Sequence, residues 1–133
     1  MIDTKKSLRI DETLDAFRHL NLSDSFLMAI LEYEHQLKLI VEVLLDEQHP
    51  AFCKPNEGET GCYRQAEILF PNVRKVVWKE KRLIPISDRD GLIDYGGIDE
   101  FYCSGHHYHL SGEWGTVEIV CDPPQLILKG VAS

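Results

Sequence analysis

No stretch of the chain approaches the ~20 consecutive apolar residues that a membrane-spanning helix requires. Its most apolar segment, Leu37 to Leu45, is interrupted by Lys38 and Glu42. The first residues are polar and carry neither an apolar signal core nor a small-residue cleavage site. A cytoplasmic protein with no membrane partner is therefore expected. Basic residues are scarce as well: 14 Lys and Arg stand against 22 Asp and Glu, a net charge of −8. A field of that sign repels phosphate backbones, which argues against nucleic acid and in favour of a basic protein partner. The fingerprints of catalysis are missing too. There is no Gly-x-Ser-x-Gly, no phosphate-cradling glycine loop and no dinucleotide motif. The ligand spacings Cys-x2-Cys, His-x3-His and His-Glu-x2-His are also lacking. A non-enzymatic protein without a cofactor is the expectation.

What remains is ordinary for one globular domain spanning 1–133. The apolar fraction of 44% supplies a core without staples. Cys53, Cys62, Cys103 and Cys121 stay reduced in a cytosolic setting, so no disulfide is expected.

Hydrophobic spacing sets the expected elements. Leu14, Phe17 and Leu20 recur every third residue after Asp11-Glu12-Thr13. This predicts a short helix with Asp11 or Thr13 as its N-cap, ended by Asn21 to Asp24. Leu37, Leu39, Val41, Val43 and Leu45 alternate with polar or outward positions, as a half-buried strand does. They pair with Phe26 to Tyr33 about the polar Glu34-His35-Gln36. A loop rich in Pro and Gly follows from Asp46 to Gly61. Tyr63 to Phe70 and Val73 to Lys81 read as a second hairpin about Pro71-Asn72, and Leu83 to Asp99 as a long excursion. Ile98 to Leu110 and Thr116 to Cys121 make a third hairpin about Ser111 to Gly115. Gln125 to Lys129 forms a last strand. The fold class expected is α+β: a short N-terminal helix with a curved, meandering antiparallel sheet of about seven strands. One short helix cannot cover such a sheet, so the sheet curls on itself or meets a second copy in a homodimer.

The chemistry-bearing residues concentrate between Asp88 and Cys121. Asp88-Arg-Asp90-Gly91 suggests a calcium loop, but with Gly91 at the sixth position the first is Ile86 and the twelfth is Gly97. Both essential carboxylates are lacking, and a surface Asp/Gly turn is the reading that remains. In Cys103-Ser-Gly-His106-His107-Tyr-His109, period two would place Cys103, His107 and His109 on one strand face, where they could grip zinc or nickel. A metal-dependent or small-ligand-binding protein is therefore the alternative function. His49, Cys53 and Cys62 share a loop but match no common zinc spacing. The acids Asp88, Asp90, Asp94, Asp99, Glu100 and Glu113, with Tyr95 and Trp114 as aromatic anchors, form the candidate partner-binding surface.

Asp24-Ser25-Phe26, leading a hairpin, and Ile68-Leu69-Phe70-Pro71-Asn72-Val73, leading another strand, carry a family likeness. Across roughly 24–78 and the final hairpin, the chain resembles small bacterial domains grouped with immunity proteins of polymorphic toxin systems. That resemblance implies a cytosolic protein that binds and blocks a toxin, with an acidic surface set against a basic enzyme.

Overall fold

The computed structural model describes residues 7–55, 57–58, 61–87 and 93–131. It corrects the α+β expectation, because the chain is nearly all-β. The strands are β1 (Leu8–Arg9), β2 (Leu20–Glu32), β3 (Leu37–Leu45), β4 (Cys62–Phe70), β5 (Lys75–Lys81), β6 (Ile86–Ser87), β7 (Ile93–Asp94), β8 (Glu100–Ser104), β9 (His107–Gly112), β10 (Gly115–Val120) and β11 (Gln125–Val131). They form three antiparallel sheets rather than one meander. A five-stranded sheet runs β1-β8-β9-β10-β5, a four-stranded sheet runs β11-β4-β3-β2, and β6 pairs with β7.

The predicted helix is reduced to one turn, Ile10–Thr13, and a 3₁₀ turn, Asp15–Phe17. Arg9 occupies the N-cap and makes no side-chain cap bond, so neither Asp11 nor Thr13 caps it. Leu14 between the turns is extended, with φ −123° and ψ 119°. A two-turn helix is too short to hold itself together. Each turn instead inserts one residue, Ile10 or Phe17, into the core, and Phe17 meets Phe101 edge-on.

Strand pairing takes the residues on either side. Leu20 and Asn21 already pair with Leu45 and Leu44, which is where the helix was expected to end. The register of β2 then slips before Phe26. Ser25 mends the gap: its buried hydroxyl donates to the Asn21 carbonyl at 2.6 Å and accepts the Leu44 amide at 2.9 Å.

The β2–β3 hairpin stands as the alternation predicts. Leu37, Leu39, Val41, Val43 and Leu45 are all buried, facing the interior. The second hairpin does not exist. β4 lies between β3 and β11, whereas β5 pairs with β10 in the other sheet. At Pro71-Asn72 the chain changes sheets, and Asn72 adopts a left-handed φ of 51° to do so. It returns at Asp122-Pro123, between β10 and β11. Corners of this kind are how strands pass between two packed sheets.

The two large sheets enclose one core, where Phe70 of one meets Phe101 of the other at a tilt and Tyr108 edge-on. β2 spans the breadth of the five-stranded sheet. At one end the Leu22 carbonyl accepts the Ile98 amide beside β8, and at the other the Glu32 carboxylate accepts the Trp78 indole N–H of β5. The free edge of β2 is covered by 95–98: Tyr95 donates to the Leu27 carbonyl and Leu27 to the Gly96 carbonyl, both at 2.8 Å. Gly97 lies so close there that a Cβ would collide with the Ser23 carbonyl. Covering an edge removes a template for unwanted strand addition. Among the described residues no helix is long and apolar enough to cross a membrane.

Candidate functional site

The third predicted hairpin is two hairpins. Gly105, at φ 60°, and His106 turn the chain between β8 and β9, so 98–110 is not one strand. This resets the two-residue parity on which the metal set depended. Cys103 pairs with Tyr108, and both face the core. The Cys103 thiol reaches the Thr13 hydroxyl at 3.4 Å. His107 is exposed at the start of β9, and His109 points away from the core. Cys103, His107 and His109 therefore do not converge, and the described residues contain no cluster of His, Cys, Asp and Glu arranged to hold a metal.

His109 instead lies between two carboxylates on the outer face of the five-stranded sheet. Its Nε2 is 3.4 Å from Glu100 Oε1 and its Nδ1 is 3.8 Å from Glu118 Oε1, ion pairs whenever the ring is protonated. The Ser111 hydroxyl donates to Glu100 Oε1 at 2.6 Å. That bond holds the Glu100 carboxyl below the usual carboxylate range. Partial burial works against it, and His109 reinforces it. The Ser111 hydroxyl and the His109 ring thus meet at the same Glu100 oxygen.

The acidic and aromatic residues do not share one surface. Trp114 is interior: no part of it is exposed, its indole donates to the Gly97 carbonyl at 2.9 Å, and Trp78 meets it edge-on. Asp94 is buried as well, and its Oδ1 accepts the Gly96 amide at 2.8 Å. Tyr95 is half-buried against the core. Glu113 is exposed and lies over Gly96. Asp99 and Glu100 are exposed and border a cleft. Asp88 and Asp90 lie outside the described residues.

This cleft, of about 310 Å³, opens between the N-terminal turn, the start of β2 and 98–102. Asp11, Asp99 and Glu100 line it, with Asn21 and Ser23 as polar neighbours and Ile10, Phe17 and Phe101 beneath. Among the described residues Arg9 is the one cation on its wall, and Asp11 at 3.4 Å and Glu12 at 2.9 Å already engage it. The pairing of Arg9 with Tyr102 across β1 and β8 brings Asp11 to Asp99 and Glu100. Asp11 read in sequence as a helix cap. No local signal ties it to residues almost ninety positions away, so reasoning from the chain alone missed it.

The molecule so defined is a two-sheet β-sandwich with an acidic cleft at one end. No family model, no curated protein and no solved structure matches it.

Proposed function

We propose that the chain is a non-enzymatic protein-binding domain whose acidic cleft receives a basic side chain of a partner protein. One observation carries this reading. Asp99 and Glu100, exposed and adjacent, line a cleft with Asp11, where Arg9, the one cation on its wall among the described residues, is already paired. A cleft of this size suits the head and lower stem of one Lys or Arg, with Ile10 and Phe17 forming an apolar floor for the methylenes. Arg would pair two of the carboxylates through its planar fork. The net charge of −8 adds long-range attraction for a basic partner. A toxin neutralised by such binding is the particular partner that the likeness to immunity proteins implies, and a cytoplasmic setting goes with it.

The reading predicts association that weakens as salt rises, because screening acts on exposed charge pairs. Its test compares the native chain with an Asp99→Asn/Glu100→Gln variant as bait for a basic protein from the source organism. A partner held at low salt by the native chain and lost by the variant supports it. Equal retention by both, or no partner at low salt, sinks it.

A further inference from the structure

Neither Cys53 nor Cys62 lines the cleft. Their sulfurs are 3.4 Å apart, and the Cys53 amide donates to the Cys62 sulfur at 3.2 Å. Both stand as thiols. Their settings differ in a way that suits sequential chemistry. Cys62 is buried at the first position of β4, held by pairing with Leu45. Cys53 is exposed, in the irregular segment after the turn at His49 to Phe52. A disulfide needs the sulfurs at about 2.0 Å. The approach falls on Cys53, whose backbone belongs to no ladder, while Cys62 stays in its strand.

We infer that Cys53 and Cys62 form a reversible redox modification site, closed to an intramolecular disulfide by a hydroperoxide. The exposed thiol reacts first. The Cys53 sulfur attacks the peroxide oxygen, the O–O bond breaks, and Cys53 becomes a sulfenic acid with release of one water. The Cys62 sulfur then attacks Cys53, the S–O bond breaks, and a second water leaves. Two thiols lose two electrons and two hydrogens in all, and hydrogen peroxide gains them as two waters. A dithiol reductant reverses the bridge by thiol–disulfide exchange. Cys103 and Cys121 take no part: both are buried in the core, and burial together with the Asp122 charge pushes the Cys121 thiol up to about 12. The inference is independent of the cleft and of any partner.

The test treats the full chain with dilute hydrogen peroxide and counts thiols after denaturation. The count is expected to fall from four to two and to recover with dithiothreitol. Cleavage after Glu57, which lies between the two cysteines, should leave fragments joined through Cys53 and Cys62 alone. In Cys62→Ala, Cys53 should accumulate as a sulfenic acid trapped by dimedone, whereas the native chain traps none. In Cys53→Ser, all three remaining thiols should survive the same treatment. A Cys53 carried to the sulfinic acid with Cys62 still a thiol, or a dimer bridged through Cys53, would overturn the inference.

Discussion

Asn72 and Asp122, fifty residues apart, join two of the corners at which the chain changes sheets. The Asn72 amide donates to Asp122 Oδ2 at 2.7 Å, and the Arg74 guanidinium meets Oδ1 at 3.1 Å. Backbone bonds run alongside: Asp122 donates to the Pro71 carbonyl, and Arg74 to the Val120 carbonyl. Asn72 therefore does two things, tolerating a left-handed φ and tying the crossings together. Asn72→Ala should cost about 1–2 kcal/mol, through lost bonding and backbone strain. Asn72→Gly keeps the backbone freedom and should cost under about 1 kcal/mol. Urea midpoints of the two variants separate the contributions; equal losses would show that the left-handed backbone contributes nothing.

Ser25 supplies by its side chain the bonds that the slipped register of β2 cannot. Ser25→Ala leaves the Leu44 amide and the Asn21 carbonyl without their partner. A loss of about 2 kcal/mol is expected, because abandoned buried polar groups cost more than a hydrogen bond gains. Amide exchange adds a local readout: Leu44 should lose protection more than Val41, which retains its own pairing in β3.

Trp114 anchors the strap over the edge of β2 from inside the core. Trp114→Phe removes the donor to the Gly97 carbonyl and shortens the ring, for an expected loss of about 2–3 kcal/mol. With Trp78→Phe, which leaves Trp114 as the one tryptophan, its emission should be blue-shifted and resistant to iodide. Ready quenching would place that indole in water and remove it from the core.

Tyr108 and Cys121 make the protein sensitive to base. Burial pushes the Tyr108 phenol up from 10.0 to about 12, with the neighbouring thiols and Asp122 adding to it. Burial, with Asp122, pushes the Cys121 thiol from 9.0 to about 12. Between the unfolded and folded values the folded chain binds more protons than the unfolded chain. This stability is whole below about pH 9 and is lost as pH rises toward 12. Urea midpoints should fall progressively across that window. Cys121→Ala should delay the onset toward pH 10, where Tyr108 takes over. A midpoint flat to pH 11 in the native chain would contradict the burial of both groups.

Parts of this architecture are legible in the sequence alone. Leu37 to Leu45 alternates so regularly that its buried face follows directly, and Gly112 to Gly115 marks the β9–β10 turn. Pro71-Asn72 misled because, locally, a sheet-switching corner and a hairpin turn use the same residues. What separates them is distant: Val73 donates to the His35 carbonyl, and β5 finds β10 rather than β4. The spacing of Leu14, Phe17 and Leu20 suited a helix equally well as two separate turns. In the cleft, Asp99 and Glu100 were readable as exposed acids, whereas Asp11 was not. Trp114, flanked by glycines, carried no sign of whether it faced water or core.

By itself, the order of residues determined the inward and outward side of the long strands, the net negative charge and the positions of several turns. These are properties of the backbone's two-residue repeat and of short-range sterics, which a few neighbours settle. The tertiary structure alone decided which strands share an edge, and hence that Asp11 and Asp99 line one cleft and that Cys53 meets Cys62. Edge pairing depends on hydrogen-bonding groups common to every residue but proline, so only the packing of the whole core selects among partners.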